Sequence, residues 1–162
     1  MNATRTLRLV LLLCVSMAVS LRAAEKAGAV GQVELRGRIV CLAEEMHEKF
    51  SVDLPTRHEH LLGFKTVSGQ YYTLLRTKNS EALFADQDLK QRDLILKGNT
   101  YPGSQLFESM TVRSIKNGLT YEVYYWCDIC AIQMNAPGIC DCCQAPNRRV
   151  EKPLVAKSLL SK

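Results

Sequence analysis

The sequence is short of most features that announce an enzyme or a nucleic-acid-binding protein. Its three histidines, His47, His58 and His60, sit close together, and none belongs to a serine–histidine–acid arrangement. There is no glycine-rich phosphate loop and no carboxylate pair placed for acid–base work. These absences exclude the familiar routes to acyl, phosphoryl and glycosyl transfer, and the chain reads as non-enzymatic. Long apolar runs are missing too. The longest, Leu9–Val19, has 11 residues, whereas a membrane-spanning helix needs about 20. Charge of one sign is scarce once position is considered. The net +5 of the 162 residues includes Arg5, Arg8 and Arg22, and residues 1–24 contain no acid. The remainder carries only +2, a weak electrostatic drive toward nucleic acid.

The N-terminus has a purpose of its own. Arg5 and Arg8 precede the apolar run, and small residues follow at Ala18, Ser20, Ala23 and Ala24. A positive start, a short apolar stretch and small residues are the layout of a secretory signal. Residues 1–24 are therefore expected to be removed, with no stable membrane span remaining. The rest is expected to be exported, periplasmic or secreted. Cys14 follows the large Leu13, an unfavourable position for lipidation.

From Gln32 onward the pattern is strand-like. Val33, Leu35, Ile39 and Val40 predict a long first strand, and Gly37 predicts a bulge or bend within it. Residues 43–60 are polar and read as a surface loop with at most one helical turn. Leu61–Val67 and Tyr71–Thr77 predict a hairpin. Asn79 or Ser80 is placed to cap one short helix ending near Asp86–Leu89. Strands return at Leu94–Gly98, Leu106–Ile115 and Leu119–Trp126, the last two joined by Asn117-Gly118, a strong hairpin signal. Three strands, a helix and two or three further strands resemble an OB fold. The expectation is a mainly β protein: an OB-like five-stranded barrel over residues 32–124, then a small Cys-rich hairpin at 125–145. Residues 146–162 are expected to form a flexible tail or a short helix.

Cysteine is the residue type in excess. Beyond the signal lie Cys41, Cys127, Cys130, Cys140, Cys142 and Cys143. Cys127-x2-Cys130-x9-Cys140-x2-Cys143 is a pair of C-x-x-C units, each able to bring two sulfurs to one ion. Asn135-Ala136-Pro137-Gly138 between them can fold the two arms together. Four such ligands complete the tetrahedron preferred by Zn²⁺, and thiolates also suit Cu(I) and other soft metals. Such a site is closed and leaves no position for a reactive water. Cys142 is a candidate fifth sulfur. Export keeps disulfides open as an alternative, with Cys41–Cys142 a conceivable pair, and a redox-active C-x-x-C is a third reading.

Tyr125-x-Cys127, a nine-residue gap holding Pro137-Gly138, and Cys140-x-x-Cys143 resemble the heavy-metal-binding domain, a short module of copper and heavy-metal export systems. The resemblance spans residues 125–144. Cys127, Cys140 and Cys143 fall on family cysteines, and Cys130 stands where the family has histidine. Asp128 and Asp141 replace the family prolines, Gln144-Ala145 replaces Gly-Met, and Cys142 is additional. The resemblance implies a metal site moved toward all-sulfur ligation.

The remaining candidates are weaker. His58-Glu59-His60 places two imidazoles on one side of an extended segment, and His47 lies among acids. Tyr121, Tyr124, Tyr125 and Trp126 are expected to pack the junction of barrel and hairpin. The expected function is that of an exported metal-binding protein with a metal ion as partner and an envelope protein as a further one. The alternatives are a disulfide-stapled module that binds a peptide or glycan, and a thiol oxidoreductase.

Overall fold

The computed structural model describes residues 29–154. Residues 1–28, which include the expected signal segment and Cys14, and residues 155–162 lie outside them. In chain order the elements are β1 (Gly31–Cys41), α1 (Leu42–Phe50), β2 (Leu62–Thr66), β3 (Tyr71–Leu74), α2 (Glu81–Ala85), α3 (Gln87–Lys90), β4 (Asp93–Thr100), β5 (Leu106–Lys116), β6 (Leu119–Cys127), β7 (Ile132–Met134) and β8 (Arg148–Pro153). The fold is mainly β, as the alternating sequence predicts.

The first five strands close a ring. β1 pairs antiparallel with β2 and with β4, β2 with β3, and β4 with β5; β3 then meets β5 in parallel through Thr73↔Leu106 and Leu74↔Phe107. This is the OB-like barrel the element order implies. Closure needs strands that bend, and two glycines allow it. Gly37 pairs with Thr66 on one side and Leu94 on the other. A Cβ there would stand 2.0 Å from the Lys65 carbonyl oxygen. Gly98 marks a register shift between β4 and β5, and a Cβ there would stand 1.9 Å from the Glu108 carbonyl oxygen.

Inside the ring, Phe64, Leu94, Leu96 and Phe107 are fully buried, and α2 and α3 plug the barrel with Leu83 and Leu89. Tyr72 packs edge-on against Phe107. Outside it, β6 extends the sheet from β5 through the Asn117-Gly118 turn, whose φ values of 49° and 77° are those of a tight hairpin turn. β6 then runs on to pair with β7 and β8.

Three expectations are corrected. Residues 43–60 are not all loop, because α1 occupies Leu42–Phe50. Its acids Glu44 and Glu45 sit in the first turn and Lys49 in the last, complementing the helix dipole. Ser51 closes it by donating its N–H to the His47 carbonyl. The single helix near residues 80–89 is two, broken at Asp86, whose backbone is extended. Ser80 does not cap the first of them with its side chain. Its buried hydroxyl donates to the Leu75 carbonyl (2.5 Å) and accepts from the Thr77 N–H (2.8 Å). Finally, Arg148–Pro153 is not a loose tail but β8, aligned along Tyr121–Trp126 of β6. Among the described residues, no helix is long and apolar enough to cross a membrane.

Phe107 belongs to both the ring closure and the core. Phe107→Ala is expected to lower unfolding stability by about 3–5 kcal/mol, read from urea titration. A loss under about 1 kcal/mol would show that the ring does not close around it.

Candidate metal centre

The C-terminal sulfurs are positioned by the end of β6. Cys127 is the last residue of that strand, and β7 returns beside it through Cys127↔Ile132. The chain then crosses Pro137-Gly138 to a second loop holding Cys140 and Cys143. Asn147 pins this loop: its N–H donates to the Gly138 carbonyl (2.9 Å), its side-chain oxygen accepts from the Gly138 N–H (3.0 Å), and its amide donates to the Ala136 carbonyl (2.9 Å). The Cys140 N–H donates to the Ala145 carbonyl (2.8 Å), and Gln144 returns an N–H to the Cys140 carbonyl (2.9 Å).

The two C-x-x-C units share one local design. The Cys127 sulfur faces the backbone N–H groups of Cys130 and Ile129, and the Cys140 sulfur those of Cys143 and Cys142. In each unit the residue after the second cysteine is left-handed: Ala131 at φ 52° and Gln144 at φ 58°. That conformation turns the chain so the preceding N–H groups point at the first sulfur. Neither residue is glycine, so each turn carries strain of about 1–2 kcal/mol.

The result is convergence. The sulfurs of Cys127, Cys130, Cys140 and Cys143 all lie within 4.8 Å of one another and could hold a metal ion. Cys127 and Cys143 are 3.4 Å apart, a contact between sulfurs rather than a bond, and none of the six described cysteines is disulfide-linked. Cys127 and Cys140 are buried, while Cys130 and Cys143 are half-buried. Cys142 is exposed and stands outside the four, though it touches Cys130. Cys41 lies instead beside His58, 3.7 Å from its Nε2.

Three of the four thiols are shifted, in different directions. The Cys143 and Cys142 N–H groups pull the Cys140 thiol down to about 7. The Cys130 and Ile129 N–H groups act in the same sense on Cys127, yet its burial and the neighbouring Cys143 and Cys140 sulfurs leave that thiol above the ordinary range. Contacts with Cys142 and Cys143 push the Cys130 thiol well up. One acidic thiol, Cys140, beside two reluctant ones, Cys127 and Cys130, is what crowded sulfurs produce, since a like charge nearby disfavours a second thiolate.

The junction to the barrel is polar. Of the four aromatic residues leading into the site, Tyr125 alone is fully buried; its hydroxyl donates to Asp86 (2.6 Å). Arg149 of β8 donates to both oxygens of the same carboxylate (2.8 and 2.7 Å) and to Asp88 (2.8 Å). Asp128, beside Cys127, pairs with Arg148 at 2.9 and 3.0 Å. The Asp86 and Arg149 contacts carried no sequence signal, since acids and arginines at such distances read only as surface charge. Burial raises the Asp86 carboxyl pKa, but Tyr125 and Arg149 more than offset it and leave it below the usual range.

Comparison with known proteins finds no matching protein family, no matching curated protein and no matching solved structure.

Two predictions follow from this geometry. Ala131→Gly and Gln144→Gly relieve left-handed strain and should each raise stability by up to about 1 kcal/mol; a fall in the urea midpoint would contradict the turn assignment. A carboxyl held below its unfolded value stabilises fully above that value, about 3.9 for Asp, and loses the contribution as pH falls through the folded one. The stability gap between wild type and Asp86→Asn should therefore be constant above pH ~5 and shrink progressively as pH falls below about 4. A gap independent of pH would show that the Asp86 charge plays no part.

Proposed function

We propose that this is an exported, non-enzymatic metal-binding protein whose OB-like barrel carries a four-thiolate site for Zn²⁺ or another soft metal such as Cu(I). The observation that carries this reading is the convergence of Cys127, Cys130, Cys140 and Cys143 within 4.8 Å. Four thiolates satisfy a tetrahedral soft cation and leave no place for a reactive water, which favours holding metal over catalysis. The paired backbone N–H groups at Cys127 and Cys140 stabilise thiolate charge, as a metal-bound sulfur requires. The module's likeness to the heavy-metal-binding domain supports a role in heavy-metal handling, with an envelope protein as partner. Export rests on the N-terminal signal pattern.

The bound metal would also contribute to folding, because the hairpin buries little apolar surface of its own: Ile129, Ile132 and Ile139 are exposed. Protein purified without chelator should contain stoichiometric zinc, copper or iron. Cys127→Ser and Cys140→Ser should each abolish tight binding at the four-cysteine site, and Cys142→Ser should leave the stoichiometry unchanged. Metal-free wild-type protein, with two or fewer titratable thiols after denaturation, would overturn the proposal in favour of a disulfide-stapled module.

A further inference from the structure

A second group of metal-ligating side chains stands elsewhere on the barrel. Cys41 ends β1, Glu44 lies in the first turn of α1, and His58 and His60 end the loop that returns to β2. One ligand atom from each lies within 4.8 Å of the other three. The Cys41 sulfur is 3.7 Å from His58 Nε2, and Glu44 Oε1 is 3.4 Å from His58 Nε2 and 3.5 Å from His60 Nδ1. A tetrahedron of zinc bonds to sulfur, nitrogen and oxygen has edges of about 3.3–3.8 Å, since an edge is about 1.63 bond lengths. The three measured edges all fall in that range.

The fold makes this meeting specific. The strand register places Cys41 opposite Leu62, and the Leu42 N–H donates to the Leu61 carbonyl at 2.9 Å. These bonds anchor both ends of the β1–β2 connection, so His58 and His60 come back over the start of α1. The two rings stand edge to face with centroids 5.0 Å apart, so both nitrogens are presented to Glu44. The set of one thiolate, two imidazoles and one carboxylate differs from the four-sulfur cage. It is harder, and it is more open, because Glu44 and His60 are exposed.

We propose that Cys41, Glu44, His58 and His60 form a second, independent site for a borderline divalent cation, Zn²⁺ being the best fit to its ligands and shape. Cys41 binds as the thiolate, with its proton released to solvent. Occupation ties the β1–β2 connection to the barrel, whereas the cage ties the C-terminal hairpin to β6.

The test is Zn²⁺ titration of reduced, chelator-stripped protein, repeated for Glu44→Gln/His60→Ala and for Cys140→Ser/Cys143→Ser. Glu44 and His60 are exposed, so their variant should keep its fold, checked by far-ultraviolet circular dichroism. Wild type should take up two equivalents and each variant one. Co²⁺ in the Cys140→Ser/Cys143→Ser protein should show the weaker thiolate-to-cobalt absorption of a single sulfur. Zn²⁺ should also slow tryptic cleavage after Lys49 and Arg57 in wild type but not in Glu44→Gln/His60→Ala. Equal uptake and equal proteolysis in wild type and Glu44→Gln/His60→Ala would overturn the second site and leave these residues a hydrogen-bonded cluster only. One equivalent in wild type, lost in Glu44→Gln/His60→Ala, would uphold this site while refuting the cage.

Discussion

The carboxylate of Asp86 holds the two parts of the molecule together. It breaks the helical plug into α2 and α3, accepts the Asp88 N–H with one oxygen, and takes the Tyr125 hydroxyl and the Arg149 guanidinium. Through Tyr125 it fixes β6 two residues before Cys127, and through Arg149 it fixes β8. It is the shared acceptor at a junction where β6 is otherwise tied to the barrel by its pairing with β5 and by the packing of Val123 and Tyr125 on the core. Such a partly buried charge is favourable only because its partners are complete. Glu151 reinforces the arrangement: it takes Arg92 at 2.5 Å and also pairs with Lys116, joining β8 to the turn before β4 and to the end of β5.

Much of the barrel was legible in the sequence because half-buried strands write alternation. Val33, Leu35 and Ile39 fall in β1, the spans Leu94–Gly98 and Leu106–Ile115 fall within β4 and β5, and Asn117-Gly118 marked its hairpin. What escaped notice did so for a physical reason. α1 fully buries none of its residues, and its apolar stripe of Leu42, Met46 and Phe50 is too short to stand out from a polar segment. β8, with the sequence Arg-Arg-Val-Glu-Lys-Pro, is held by ion pairs on its inward side, and that pattern looks like a solvated tail.

The cage and the cluster at Cys41 show the same limit from the side of function. Four cysteines within 17 residues declare themselves by spacing, because a C-x-x-C turn is a local geometry. Cys41 and His58 lie 17 positions apart, and only the β1–β2 register makes them neighbours. The left-handed turns at Ala131 and Gln144 were also hidden, since neither residue is one that ordinarily marks such a turn.

The parallel seam between β3 and β5, together with the β1–β4 pairing, has a consequence for how the chain acquires its shape. Gly31 and Thr100, bonded at 3.2 Å, lie 69 positions apart, whereas all four cage sulfurs come from one short stretch. Long-range closure is the slow event in folding, and local loops close orders of magnitude faster. The hairpin can therefore gather its sulfurs while the barrel is still open.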